Sequence, residues 1–143
     1  MDHGFLGNGF FDPTGTHCDF KGLKLRRLDD YWEQVLGRRR VTVLKVDVEG
    51  LELFVFNGAK QMLSEAPPEY IFMEFFSAFF HRQGITPQES AKLLRDLIDV
   101  YGYRITEVRT DQKVVVDITD ASFYANSPNY FDFDLVHKSV VLE

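Results

Sequence analysis

An apolar, largely β-branched run from Val41 to Val48, broken only by Lys45 and Asp47, ends at Glu49-Gly50 and passes directly into a helical pattern. A run with so little polar alternation reads as a strand covered on both faces, as in a parallel sheet. In an open α/β layer the carboxyl end of such a strand borders the ligand crevice. Three carboxylates, Asp47, Glu49 and Glu52, cluster at this handover. Proton transfer, cofactor contact, metal binding and plain helix capping are all open to them on this pattern alone.

The flanking segments extend the alternation. Residues 1–24 are rich in Gly, Asp, Phe and Thr without a clear period and read as an irregular segment. A short strand is expected at Lys24–Leu28. Asp30 and Glu33 have capping-box spacing, so a helix is expected at 30–36, stopped by Gly37. After the central strand a helix is expected at 51–64, interrupted at Asn57-Gly58 because glycine is unfavourable in a helix interior. Tyr70–Phe76 is the next strand, apolar almost throughout with Glu74 near its end. Thr86-Pro87-Gln88-Glu89 combines an N-cap threonine, a first-turn proline and a glutamate three residues on, and starts a helix that runs to Tyr101. Strands are then expected at 103–109 and 113–118, joined by a tight turn, and at 131–137.

Strand and helix in alternation imply a parallel sheet with right-handed crossovers, and the strand-only ending adds an antiparallel pair at one edge. The expected fold class is therefore α/β, with a mixed sheet and a terminal antiparallel hairpin.

Leu44-Lys45-Val46-Asp47-Val48-Glu49-Gly50-Leu51-Glu52, followed by Phe56-Asn57-Gly58-Ala59, resembles the signature of FkbM-type methyltransferases. Leu28-Asp29-Asp30, Ile71-Phe72-Met73-Glu74, the Gly102-Tyr103 step and Phe133-Asp134-Leu135-Val136 extend the resemblance over about residues 25–140. It implies a Rossmann-like methyltransferase fold with a seven-stranded sheet whose fourth strand is Val41–Val48. It also implies S-adenosyl-L-methionine as cofactor and methylation of an oxygen on a small molecule or sugar. In that resemblance Asp47, Val48, Glu49 and Gly50 contact the cofactor, and Asp47 and Glu49 are the catalytic candidates.

The cofactor-binding half of such a domain, with its first strand and Gly-rich turn, precedes the Leu-Asp-Asp element. The segment before Leu28 is too short for it, since each βαβ unit needs about 30 residues. Residues 25–143 are therefore expected to be the C-terminal half of the domain, and the isolated chain is expected to bind the cofactor weakly or not at all. The alternative is a non-catalytic binding or assembly module derived from a methyltransferase half, completed by a second copy or by a partner that supplies the missing half.

Asp47 and Glu49 are two apart, so in a regular strand they share a face. One can take the acceptor's proton while the other orients the cofactor. Glu52, inside the helix, reads as structural. Lys45 reads as the ion-pair partner of an acid such as Glu74. Glu74 itself is a candidate substrate contact, because adjacent parallel strands end on the same side. Phe79 and His81 fall on the segment after that strand, as a candidate acceptor-packing ring and a candidate base. No His lies at ligand spacing with the acids, and no metal is expected.

Composition narrows the partners. The formal net charge is −6, with the acid excess beyond Lys45. That argues against general nucleic-acid binding, which depends on neutralising phosphates. The run Arg38-Arg39-Arg40 reads as a solvated turn. There is no long uncharged apolar stretch for a membrane span. The single cysteine, Cys18, cannot form an internal disulfide and fits a reducing, cytoplasmic setting.

Overall fold

The computed structural model describes residues 25–76, 83–110, 119–121 and 130–141. The expected irregular segment 1–24, the expected strand 113–118, Phe79 and His81 lie outside the described residues. The elements are α1 (Leu28–Gln34), β1 (Val43–Val46), α2 (Glu52–Asn57), α3 (Lys60–Glu65), β2 (Tyr70–Phe76), α4 (Pro87–Arg95), β3 (Tyr103–Thr110) and β4 (Tyr130–His137). A π-helical turn, Asp96–Val100, continues α4.

The four strands form one mixed sheet in the order β1-β2-β4-β3. β1 and β2 are parallel, with Lys45 opposite Phe72 and Val46 opposite Met73. β4 is antiparallel to both of its neighbours, and a bulge between Ile105 and Glu107 interrupts its pairing with β3. The terminal antiparallel pair is added at one edge as expected, with β4 against β2 and β3 outermost.

Alternation sorts the strand side chains. Val46, Ile71, Met73, Phe75, Phe131, Phe133 and Leu135 are buried and form one core with Trp32, Phe56, Met62, Leu63, Leu94 and Leu97 of the helical layer. The opposite face carries Val43, Lys45 and Phe72, all exposed. β1 is therefore not covered on both faces, contrary to the reading of its apolar run. It has one sheet neighbour among the described residues and buries only its Leu44/Val46 side. It is also shorter than that run, because Asp47 and Val48 leave the ladder as the chain turns.

Leu25–Arg27 form no strand, and Leu28 already opens α1. No side chain caps that helix, and Asp30 sits within it. Its neighbour Asp29 is engaged elsewhere. The Asp29 amide donates to the Gly58 carbonyl at 2.7 Å. Its carboxylate accepts from the amides of Met62 (2.9 Å) and Gln61 (3.1 Å), two otherwise unpartnered donors in the first turn of α3. Gly37 follows α1 in the left-handed region (φ 59°), as expected of a helix stop. The helical segment after β1 divides at Gly58-Ala59 into α2 and α3, so the Asn57-Gly58 interruption is a complete break. α4 starts as its sequence indicates. Glu89 donates its amide to Thr86 Oγ1 (3.2 Å), and the Thr86 amide donates to Glu89 Oε2 (2.8 Å).

Candidate functional site

The site lies at the carboxyl ends of β1 and β2. The register that sets Lys45 opposite Phe72 and Val46 opposite Met73 brings Asp47 level with Glu74, one residue past the ladder. Lys45, Phe72 and Glu74 alternate onto the open face of the sheet. Lys45 Nζ lies 2.9 Å from Asp47 Oδ2 and 3.4 Å from Glu74 Oε1, bridging the two strand ends. The Lys45 ammonium is held above its ordinary pKa, first by the hydrogen bond to Asp47 and then by the charge of Asp47 and contact with Glu74. Both the expected Lys45–Glu74 pair and the clustering of Glu74 with Asp47 are present.

The chain beyond Asp47 is a tight turn. Glu49 has φ 53° and Gly50 φ 93°, and the Leu51 amide donates to the Val48 carbonyl at 3.2 Å. Glycine adopts such angles freely. A glutamate does so at a steric cost, and strained residues of this kind gather at ligand sites. The regular-strand argument that set Asp47 and Glu49 on one face therefore fails, because Glu49 is in the left-handed region. The two acids still sense each other. The Glu49 carboxyl is pushed up from its ordinary pKa, chiefly by partial burial and then by the negative charges of Asp47 and Glu74. The turn thus delivers Glu49 to the same acidic rim by a different route.

Of the residues singled out from sequence, Asp47, Val48, Glu49, Gly50 and Glu74 come together here. Two further acids lie at this end of the sheet, one not singled out and one read as structural. Asp132 of β4 is directly opposite Glu74. Glu52, read as structural, is 1% exposed, and its Oε1 accepts from the Gly50 amide at 3.1 Å. Its Oε2 has no hydrogen-bond partner among the described residues. Burial lifts its carboxyl from the ordinary 4.5 to about 7, against the opposing pull of the Glu52, Gly50 and Val48 amides. One signal in the sequence could have marked it. Glu52 stands four residues before Phe56, on the helix stripe that faces the core.

Among the described residues no group of three or more His, Cys, Asp or Glu could hold a metal ion. No helix among them is long and apolar enough to cross a membrane. With Asp47 and Glu74 on one ammonium and Glu49 beside the two acids, the rim suits a cationic ligand.

A family model described as the methyltransferase FkbM domain matches residues 20–105, which takes in α1, the acidic turn, β2 and α4. No curated protein and no solved structure matches the chain.

Proposed function

The chain belongs to the FkbM methyltransferase domain family, and from that premise we propose that its acidic rim serves methyl transfer from S-adenosyl-L-methionine to an oxygen of a small-molecule or sugar acceptor. The family implies methyltransferase activity and a Rossmann-like fold. The observation that carries the reading to these residues is the convergence of Asp47 and Glu74 on Lys45 at the ends of two parallel strands, with Glu49 close enough to feel both acids.

The donor set fits the cofactor. A sulfonium and an α-ammonium are both cationic, and a rim of three carboxylates with one lysine attracts them. When bound, the cofactor supplies an electrophilic methyl carbon. The chain's own residues then have distinct tasks. Asp47, fixed by Lys45, orients the cationic end of the cofactor. Glu49, whose carboxyl is more basic than an ordinary glutamate, would take the acceptor hydroxyl's proton. Holding the acceptor oxygen in place would supply much of the rate. Glu74 contacts the acceptor, and so do His81 as a further base and Phe79 as an apolar wall.

We assign residues 25–143 to one domain, running past the matched segment because β4 lies between β2 and β3. As the fourth strand of a seven-stranded sheet, β1 would receive the three remaining strands at its other edge. The Gly-rich turn that holds the nucleotide belongs to those strands, whereas the rim described here engages the methionyl end. A dissociation constant near 1 mM, about −4 kcal/mol, is the expected scale.

Backbone NMR with millimolar S-adenosyl-L-methionine tests the reading. Amide shifts should centre on Val48, Glu49, Gly50 and Glu74 and weaken in Asp47→Asn. Shifts centred elsewhere, or none, would overturn it.

A further inference from the structure

We infer that Glu52 is a positioning residue, whose buried carboxyl clasps the Gly50 amide and thereby holds Glu49 in its left-handed conformation at the rim. The clasp rests on geometry alone, whereas its consequence for cofactor binding rests on the proposed methyl transfer.

Glu49 and Gly50 are consecutive residues with positive φ (53° and 93°). Glu49 pays a steric cost there, so the surroundings must over-determine it. Two hydrogen bonds do so. The Leu51 amide closes the turn on the Val48 carbonyl at 3.2 Å. The Gly50 amide, in the middle of the turn, donates to Glu52 Oε1 at 3.1 Å. Leu51, the N-cap of α2, offers no side-chain cap. The Glu52 side chain therefore reaches back across the helix start, much as the glutamate of a capping box does. It ties the turn to the first residue of the helix.

Burial makes this contact unusual. Glu52 is 1% exposed, on the stripe that also buries Phe56, where an apolar side chain would pack without desolvating a carboxyl. Oε2 gains no hydrogen bond among the described residues to offset that loss. The Gly50 bond is the specific contact that the acid makes and a leucine could not. Because the side chain is closed off from solvent, it meets neither acceptor nor cofactor directly. It acts through the turn, on Glu49 and on the Gly50 backbone. A carboxyl whose pKa is near 7 accepts this bond in either protonation state, so the clasp persists across neutral pH.

Site-resolved amide hydrogen exchange on the full chain tests the clasp without cofactor. Three variants separate its parts: Glu52→Gln keeps an acceptor oxygen, Glu52→Leu keeps apolar volume without an acceptor, and Glu52→Ala keeps neither. Exchange at Gly50 should rise roughly tenfold in Glu52→Leu and Glu52→Ala, the scale of one lost hydrogen bond plus local opening. It should stay near the wild-type rate in Glu52→Gln, with the β2 and β4 amides unchanged in all three. If Glu52→Ala does not fold, Glu52→Leu decides alone. Wild-type protection at Gly50 in Glu52→Leu, or equal loss of protection in Glu52→Gln, overturns the inference. The cofactor titration described above, repeated on Glu52→Leu, should show weakened shifts at Val48–Gly50. A wild-type chain that gives no such shifts fails the methyl-transfer reading, while the exchange rates still decide the clasp.

Discussion

Replacing Glu52 by glutamine should stabilise the chain more at alkaline than at acid pH. The folded protein raises this carboxyl from the ordinary 4.5 to about 7. Between those values the native state binds more protons at this position than the unfolded chain. Stability then falls as pH rises through that window, because its slope follows the protons bound in the unfolded state minus those in the native state. The contribution is intact below the ordinary carboxyl value and fully lost above the folded one. At 1.36 kcal/mol per pH unit the whole displacement is worth about 3 kcal/mol. Roughly 2 kcal/mol of it falls between pH ~5.5 and pH ~8.5. Glutamine does not titrate and removes this dependence, while its amide still offers Gly50 an acceptor.

Urea denaturation of wild type and Glu52→Gln at both pH values measures the effect as a difference of differences. Any packing or hydrogen-bond cost of the amide, including an Nε2 placed where Oε2 has no partner, enters equally at both values and cancels. Groups that titrate elsewhere in the chain cancel as well, apart from Glu49, whose charge adds to the Glu52 shift. The gap in unfolding free energy should shift in favour of glutamine by about 2 kcal/mol from acid to alkaline conditions, or roughly 4–8 °C in melting midpoint for a chain of this size. A gap that is the same at both values would show that folding does not perturb the Glu52 carboxyl. A gap that shifts the other way would show that the amides around it outweigh burial.

Three further perturbations read out other parts of the structure. Asp29→Ala removes the acceptor of the Gln61 and Met62 amides and should cost about 2 kcal/mol in urea denaturation, with Asp29→Asn costing less because one oxygen still accepts. Asp47→Asn should move the Glu49 carboxyl part of the way back toward its ordinary pKa, as seen by carbon-detected NMR titration of its Cδ. The return is incomplete because partial burial is the larger cause of the shift. Glu49→Gly should raise stability by about 0.5–1 kcal/mol, since relief of the left-handed backbone exceeds the entropy glycine adds to the unfolded chain. The same change should abolish the cofactor-dependent shifts at the turn, so stability and function would move in opposite directions.

What was legible in the sequence follows the range of the interaction involved. The Thr86–Glu89 capping box lies within four residues and was found as written. So were the break at Gly58-Ala59 and the glycine stop at Gly37, each a local backbone preference. The start of α1 was misplaced by two residues for a long-range reason. Asp30 and Glu33 have the spacing of a cap, but the neighbouring Asp29 is drawn to amides more than thirty residues away, and α1 begins without a side-chain cap. The grouping of Lys45, Asp47 and Glu74 was foreseeable, because parallel pairing brings strand ends together. The left-handed Glu49 was not, since nothing in a single glutamate announces a positive φ. Glu52 was underrated because an acid at a helix start is usually a solvated dipole partner. Only the orientation of α2 against the core shows that this one is buried.

The family's motif positions thus divide into two physical groups. Lys45, Asp47, Glu49 and Glu74 meet at the rim and carry charge toward a ligand. Asp29 and Gly58 meet beneath them, with the Asp29 amide on the Gly58 carbonyl and its carboxylate on the first turn of α3. Glu52 connects the groups, because α2 begins at the rim turn and ends at Gly58, where Asp29 takes hold. A rigid α1–α3 junction therefore fixes one end of α2, and the Glu52–Gly50 bond fixes the turn to its other end. Loosening the two ends should have different effects. Asp29 variants should lower global stability and leave Gly50 protection high until the whole chain opens, whereas Glu52→Leu should free the turn while the fold persists. Equal effects of the two on Gly50 exchange at matched stability would mean that the turn has no local hold and is set by the fold as a whole.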